Sequence, residues 1–281
     1  MFLHDIPLRD PFIFADQQTK TYYLYGAIKN RANQTHFDVY TSQDLKTWEY
    51  GGVIFSANET FWGTGHFWAP EVHFINGKYY LFATFRGENN SYHRCHVLVS
   101  DTPNGVFTPL PQPLTPEAWS SLDATFIEEN GKKYTVFCHE WIQINDGTVC
   151  ALRLTDDLKE SVGEPIFLWR ASTPKWRYDI GNGKGCYVTD GPFHVKEASG
   201  LVFMWSSFQN GEYVEALARS DNGKITGKFE IDEKLLFEKD GGHGMTFCDL
   251  DGNMLFVYHA PNETPLERPC MRRVTPDMFN K

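Results

Sequence analysis

Short apolar, aromatic-rich runs alternate with polar turns from one end of this chain to the other, and stretches with helical apolar spacing are scarce. Residues 21–25, 78–83, 133–137, 201–205 and 254–258 are the clearest runs, each preceded by a polar turn. Asn76-Gly77, Asn130-Gly131 and Asp251-Gly252 supply the residues that tight hairpins need, because Gly tolerates positive φ. Further runs follow each pair, among them 37–42, 96–101, 149–155 and 215–221, which end in Ser, Thr or Asp before another turn.

A second signature stands ahead of each unit. Five segments carry a polar or small residue in second place and pass into an apolar strand: Arg9-Asp10-Pro11-Phe12, Trp68-Ala69-Pro70-Glu71, Leu122-Asp123-Ala124-Thr125, Thr189-Asp190-Gly191-Pro192 and Gly242-His243-Gly244-Met245. Counted from Asp10, Ala69, Asp123, Asp190 and His243, the spacings are 59, 54, 67 and 53 residues. A strand repeat of this length predicts a circular array. With four strands to a unit, the prediction is an all-β, five-bladed β-propeller with four-stranded antiparallel blades around a central channel. An ordinary β-sandwich is the competing architecture. No linker divides the chain, so residues 1–281 read as one domain. The last unit, from His243 to about Arg273, is short, and residues 271–274 or the first residues are candidates to close it.

Charge and cysteine usage narrow the partners. The net charge of −10 argues against nucleic acid as the main partner, since phosphate binding needs clustered Lys and Arg. No apolar run reaches the length of a membrane span. The six cysteines form no CxxC pair and mostly fall in strand-like runs, so they read as small buried hydrophobes. Residues 1–5 carry no basic, apolar leader; as it stands the chain reads as cytoplasmic, or as exported if a leader was removed.

Repeated strand heads in a propeller line the channel, so acids far apart in sequence can meet there. Asp10, Asp123 and Asp190 are read as occupying equivalent heads in units one, three and four. Acids at the start of apolar strands carry a desolvation cost unless water, metal or substrate meets them. Three around one axis suit glycoside hydrolysis, in which one carboxylate activates water and another protonates the leaving oxygen. A third raises the acid's pKa by like-charge repulsion.

These pieces, in this order, resemble glycoside hydrolase family 43 from Asp10 to about Arg273. They are Arg9-Asp10-Pro11, Phe67-Trp68-Ala69-Pro70-Glu71, the Asp123 strand with Glu128-Glu129-Asn130-Gly131, Asp190-Gly191-Pro192, Gly242-His243-Gly244 and Tyr258-His259-Ala260. The resemblance implies an inverting five-bladed hydrolase acting on α-L-arabinofuranosyl or β-D-xylosyl linkages of plant polysaccharides or oligosaccharides. It implies Asp10 as general base, Asp123 as the residue that orients and tunes the acid, and Asp190 as general acid. It also implies that His243 faces a calcium ion on the propeller axis, held mostly through water, with no organic cofactor.

The family's usual acid is Glu, and Asp190 is one methylene shorter, about 1.5 Å. Three readings follow: Asp190 acts in a closer-set site, or Glu71, Glu140 or Glu215 takes its place, or the propeller binds sugar with little or no hydrolysis. Trp68 and Glu71 are the expected pocket wall, and Arg268 or Arg272 the expected arginine beside the acid. Trp62 and Trp141 read as core. Retaining fructan-cleaving propellers use Asn-Asp-Pro and Glu-Cys settings, and this chain has neither.

Overall fold

The computed structural model describes residues 1–28, 35–88, 92–196, 198–275 and 277–280. Its strands form five antiparallel sheets arranged as the blades of a propeller. Blade one holds β1 (Leu8–Asp16), β2 (Thr21–Ile28), β3 (His36–Ser42) and β4 (Glu49–Ser56). Blade two holds β5 (Gly65–Ile75), β6 (Lys78–Arg86), β7 (His93–Ser100) and β8 (Thr108–Pro109). Blade three holds β9 (Ser121–Glu129), β10 (Lys132–His139), β11 (Thr148–Leu154) and β12 (Ser161–Arg170). Blade four holds β13 (Asp190–His194), β14 (Val202–Gln209), β15 (Glu212–Ser220) and β16 (Phe229–Ile231). Blade five has three described strands, β17 (Gly242–Cys248), β18 (Met254–Ala260) and β19 (Arg268–Arg273). A 3-10 turn at Leu3–Asp5 packs against β19, so the first residues meet the last blade without adding a strand.

The hairpin residues behave as their chemistry requires. Asn76-Gly77 and Asn130-Gly131 both take positive φ in two-residue turns, as does Asn210-Gly211, which the sequence reading had not singled out. Asp251-Gly252 sits in a longer turn, where the Asp249 carboxylate accepts from the amides of Asp251 and Asn253. Alternate strand residues fill the spaces between blades, with Trp48, Trp169 and Trp205 fully buried. Cys95, Cys138, Cys150 and Cys186 are free and buried, while Cys270 is half-buried and Cys248 exposed.

Trp62 packs among Phe61, Phe85 and His96 and donates to His96 Nδ1, as a core residue would. Trp141 is half-buried at the start of α1 (Trp141–Ile144), the short helix between β10 and β11. The inner strands β1, β5, β9, β13 and β17 run side by side around the axis. At one end they gather the charged heads. Toward the other they line a cavity of about 590 Å³ with Phe12, Phe14, His73, Phe126, Phe193 and Phe247.

Candidate active site

Each inner strand carries an irregularity in its pairing, and each has the same backbone cause. The register shifts between Arg9 and Phe12, between Trp68 and Glu71, between Asp190 and Phe193, and between Gly242 and Met245. In β9 it shifts opposite Val136 and Cys138. Within these bulges five residues adopt the left-handed conformation: Asp10 at φ 52°, Ala69 at 45°, Asp123 at 57°, Gly191 at 50° and His243 at 52°. For a residue with a Cβ this costs roughly 1–2 kcal/mol.

The five heads are therefore a backbone repeat, and they correct one reading of the sequence. Gly191, not Asp190, is the equivalent of Asp10 and Asp123. Asp190 precedes the left-handed residue and so matches Arg9, Trp68 and Gly242. Consistently, Asp190 pairs with Ser206 across its ladder just as Arg9 pairs with Ala27 and Trp68 with Thr84.

The three aspartates still converge. Asp10 Oδ1 lies 3.1 Å from Arg9 Nε and 3.2 Å from His243 Nδ1. His243 Nδ1 also lies 3.9 Å from Asp123 Oδ2, so one imidazole of blade five stands between the heads of blades one and three. Asp123 Oδ2 accepts from Gly191 N at 3.0 Å, and Asp123 N donates to Thr84 Oγ1 at 2.9 Å. Tyr213 donates its hydroxyl to Asp190 Oδ2 at 3.0 Å, and the Arg9 guanidinium lies over the Tyr213 ring. The blade-three and blade-four heads are thus tied by Asp123 and Gly191, and the blade-four and blade-one heads by Tyr213 and Arg9.

Burial sets the electrostatics. It raises the pKa of Asp123, against the attraction of His243, and the charges of Asp190 and Asp10 add to the rise. Burial raises Asp190 as well, although Arg9, His243 and the Tyr213 hydroxyl all favour its ionised form. Burial opposes the charge on His243, but Asp10, Asp123 and Asp190 together hold its pKa above the ordinary value. His259 is fully buried and its pKa is lowered well below normal, first by burial and then by Arg9. Being neutral, it accepts from Asp10 N at 3.4 Å and turns its other nitrogen to Asn262.

The alternative acids are engaged elsewhere. Glu71 bonds His73 Nε2 at 2.9 Å, and His73 lines the cavity away from the charged heads. Glu140 bonds His93. Glu215 is fully buried behind the blade-five head, where it accepts from Ser206 Oγ at 2.6 Å and Gly244 N at 3.2 Å. Burial pushes its pKa up to about 7.

The other expected residues divide. Trp68 is half-buried and stands at the same ladder level as Asp190. Glu71 is not at that level, because it lies beyond the bulge and is buried against His73. Arg268 donates to the carbonyls of Pro265 and Glu267. The guanidinium that meets the acids is Arg9, which is also bonded to Asn262 and lies 3.6 Å from Glu267 Oε1. Arg9 and His259 stand in quoted motifs, Arg9-Asp10-Pro11 and Tyr258-His259-Ala260, but the sequence assigns neither a role; Tyr213 and Thr84 carry no signal of their own.

Any ion facing His243 would draw most of its shell from water. Calcium takes six to eight oxygens, whereas the described neighbours of Nδ1 are two carboxylates held to Arg9 and to Gly191. Among the described residues no group of three or more His, Cys, Asp or Glu forms a metal-holding cluster.

Comparison with known proteins places the chain in a family. A family model described as glycosyl hydrolases family 43 matches residues 5–277. The chain is 38% identical to an endo-arabinase from Bacteroides thetaiotaomicron, with a TM-score of 0.90 over 98% of this chain and 96% of that one. An endo-1,4-beta-xylanase from the same organism is 25% identical, with a TM-score of 0.78 over 96% of this chain and 91% of that one. Among curated proteins, Xylosidase/arabinosidase 43A of Humicola insolens is 34% identical over 32% of this chain and 27% of its own length. An extracellular exo-alpha-(1->5)-L-arabinofuranosidase of Streptomyces chartreusis is 30% identical over 54% of this chain and 45% of its own length. The matched segments thus span less than half the length of these curated relatives.

Proposed function

The chain belongs to glycosyl hydrolases family 43, and on that premise we propose that it is an inverting glycoside hydrolase of α-L-arabinofuranosyl or β-D-xylosyl linkages. The observation that carries this reading is the meeting of Asp10, Asp123 and Asp190 around one imidazole at one end of the channel. The pentosyl substrate is supported by relatives named for arabinose and xylose linkages.

In this reading the Asp10 carboxylate takes a proton from water as the water oxygen bonds to the anomeric carbon. The bond to the leaving oxygen breaks on the opposite face, and Asp190 supplies the proton that oxygen needs. One step with one displacement inverts the configuration. Asp190 suits the acid's task because burial keeps its proton on at higher pH than an ordinary aspartate. Asp123 orients the site through Gly191 N, which belongs to the residue after the acid. His243 offsets the charge of the neighbouring acids and keeps Asp10 and Asp123 at fixed distances. No step is assigned to a metal.

The test is hydrolysis of aryl α-L-arabinofuranoside, aryl β-D-xyloside and short arabino- and xylo-oligosaccharides, with NMR of the anomer first released. The inverted anomer is expected. Net retention would sink the mechanism, and sugar binding without release would make the protein a carbohydrate-binding propeller.

A further inference from the structure

The second strands of the blades carry a repeat of their own. In blades two, four and five, the residue paired with the one just before the left-handed head is Thr84, Ser206 and His259. Each of these side chains accepts the backbone amide of the head in the next blade around the ring. Thr84 Oγ1 takes Asp123 N at 2.9 Å, and Ser206 Oγ takes His243 N at 2.7 Å. His259 Nδ1 takes Asp10 N at 3.4 Å, where blade five meets blade one. An amide only donates, so these directions hold whatever protons the neighbouring acids carry.

The acceptors stand where the site needs them. All three are fully buried, and they serve the three heads whose side chains meet around the His243 imidazole. The other two heads, Ala69 and Gly191, bring no such side chain. The matching second-strand residues behind them are Ala27, which has nothing to accept with, and Cys138. The Gly191 amide goes to Asp123 Oδ2 instead. Ala69 holds φ 45° with a Cβ and with only Ala27 at the matching position, so the left-handed turn forms without such a tie. What the tie adds is aim. Fixing the amide fixes the peptide plane that enters the head, and with it the Cα–Cβ bond that directs a carboxylate or imidazole at its neighbours.

Ser206 is itself held in the accepting orientation. A hydroxyl has one hydrogen, and that of Ser206 goes to Glu215 Oε2 at 2.6 Å, which leaves lone pairs for His243 N. The same carboxyl oxygen takes Gly244 N at 3.2 Å. Glu215 Oε1 is buried with no partner among the described residues, which weakens a fold rather than supports it. The Ser206–Glu215 pair is thus explained by the head it holds better than by stability.

We propose that Thr84, Ser206 and His259 are positioning residues, each aiming the head of the following blade by holding its amide. This rests on the reading above in taking Asp10, Asp123 and His243 as the working heads.

Thr84 gives the cleanest test, because Ser206→Ala also strips a donor from Glu215 and His259 also faces Asn262. Thr84→Val keeps the branched shape and should lower kcat on aryl pentosides roughly 10–100-fold, as misplacement of up to about 1 Å does. KM and Tm should change little, and Thr84→Ser should recover most of kcat. Thr135→Val is the control, since that threonine is equally buried and its hydroxyl has no partner among the described residues; kcat should hold there. In NMR spectra recorded without sugar, the Asp123 amide proton should move upfield in Thr84→Val while that of His243 stays. Ser206→Ala should do the reverse. An unaltered kcat in Thr84→Val overturns the proposal, as does a loss that Thr84→Ser fails to recover or that Thr135→Val shares. An unmoved Asp123 amide overturns it as well. If the unaltered chain releases no sugar, the hydrolase reading fails, while the two amide resonances still decide whether these hydroxyls hold the heads.

Discussion

Blades one and four present their acids from adjacent, not equivalent, positions. In blade one the left-handed residue is itself the acid, Asp10, and the residue before it is Arg9. In blade four the left-handed residue is Gly191 and the acid is the residue before it, Asp190. The backing differs too. Arg9 pairs with Ala27, whereas Asp190 pairs with Ser206, which is bonded to the buried Glu215. A propeller repeats its backbone and leaves each head free to choose which of two neighbouring residues carries the charge. That choice puts Arg9 of one blade within electrostatic reach of Asp190 of another.

The comparison can be broken first at blade one. Asp10→Asn should reduce hydrolysis about 10³-fold for good and poor leaving groups alike, because the base serves the attacking water in the single displacement whatever group departs. Steady-state kinetics on an aryl glycoside and a pentose trisaccharide would show it, and a loss confined to one of them would contradict the assignment.

The backing of blade four is tested next by stability. Burial moves Glu215 from an ordinary 4.5 to about 7 in the folded chain. The folded state therefore holds this proton more tightly than the unfolded state between those values. Stability is fully present below the unfolded pKa and falls as pH rises through the folded one, by about 3 kcal/mol in all. Glu215→Gln should flatten that fall in urea denaturation between pH 5 and 8, and an unchanged slope would place the proton elsewhere.

At the head itself, a Cβ on Gly191 would lie 2.8 Å from the His243 ring, and φ there is 50°. Gly191→Ala should push the imidazole away from Asp10 and Asp123, and displacement of about 1 Å near the chemistry can cost about 10²-fold in kcat. Ala69, at the same left-handed position in blade two, shows that the backbone alone accepts a Cβ. The loss should therefore appear in kcat more than in Tm.

The smallest effect concerns the acid's partner. The Tyr213 hydroxyl stabilises ionised Asp190, so removing it raises the aspartate's pKa. Tyr213→Phe should move the alkaline limb of kcat/KM to higher pH, at a stability cost of about 1 kcal/mol for the lost hydrogen bond. Movement to lower pH would mean that the limb belongs to another group.

The propeller was legible because each unit repeats a turn, an aromatic strand and a spacing that survive without exact sequence identity. The one-residue offset of blade four was not legible. Its marker is a left-handed φ, and the residues adopting it are Asp, Ala, Asp, Gly and His, with no shared side-chain signature. Glu71 was misplaced for the same reason, since the bulge between Trp68 and Glu71 carries the strand past the mouth before the carboxyl appears. Arg268 was chosen from its late position in the chain. The arginine beside the acids comes instead from the first strand and reaches Asn262 and Glu267 of the last blade, a contact made only when the ring closes. The ties made by Thr84, Ser206 and His259 escaped because each reaches a head in another blade, and spacing says nothing of that meeting.

The central claim is that Asp190, from the residue before the left-handed head, protonates the leaving group. The most direct measurement is kcat/KM of Asp190→Ala on a series of aryl glycosides of falling leaving-group pKa. The account predicts near-complete loss on poor leaving groups and recovery toward the unaltered rate on the best ones. Equal loss across the series, or full activity on the poorest leaving group, would contradict it.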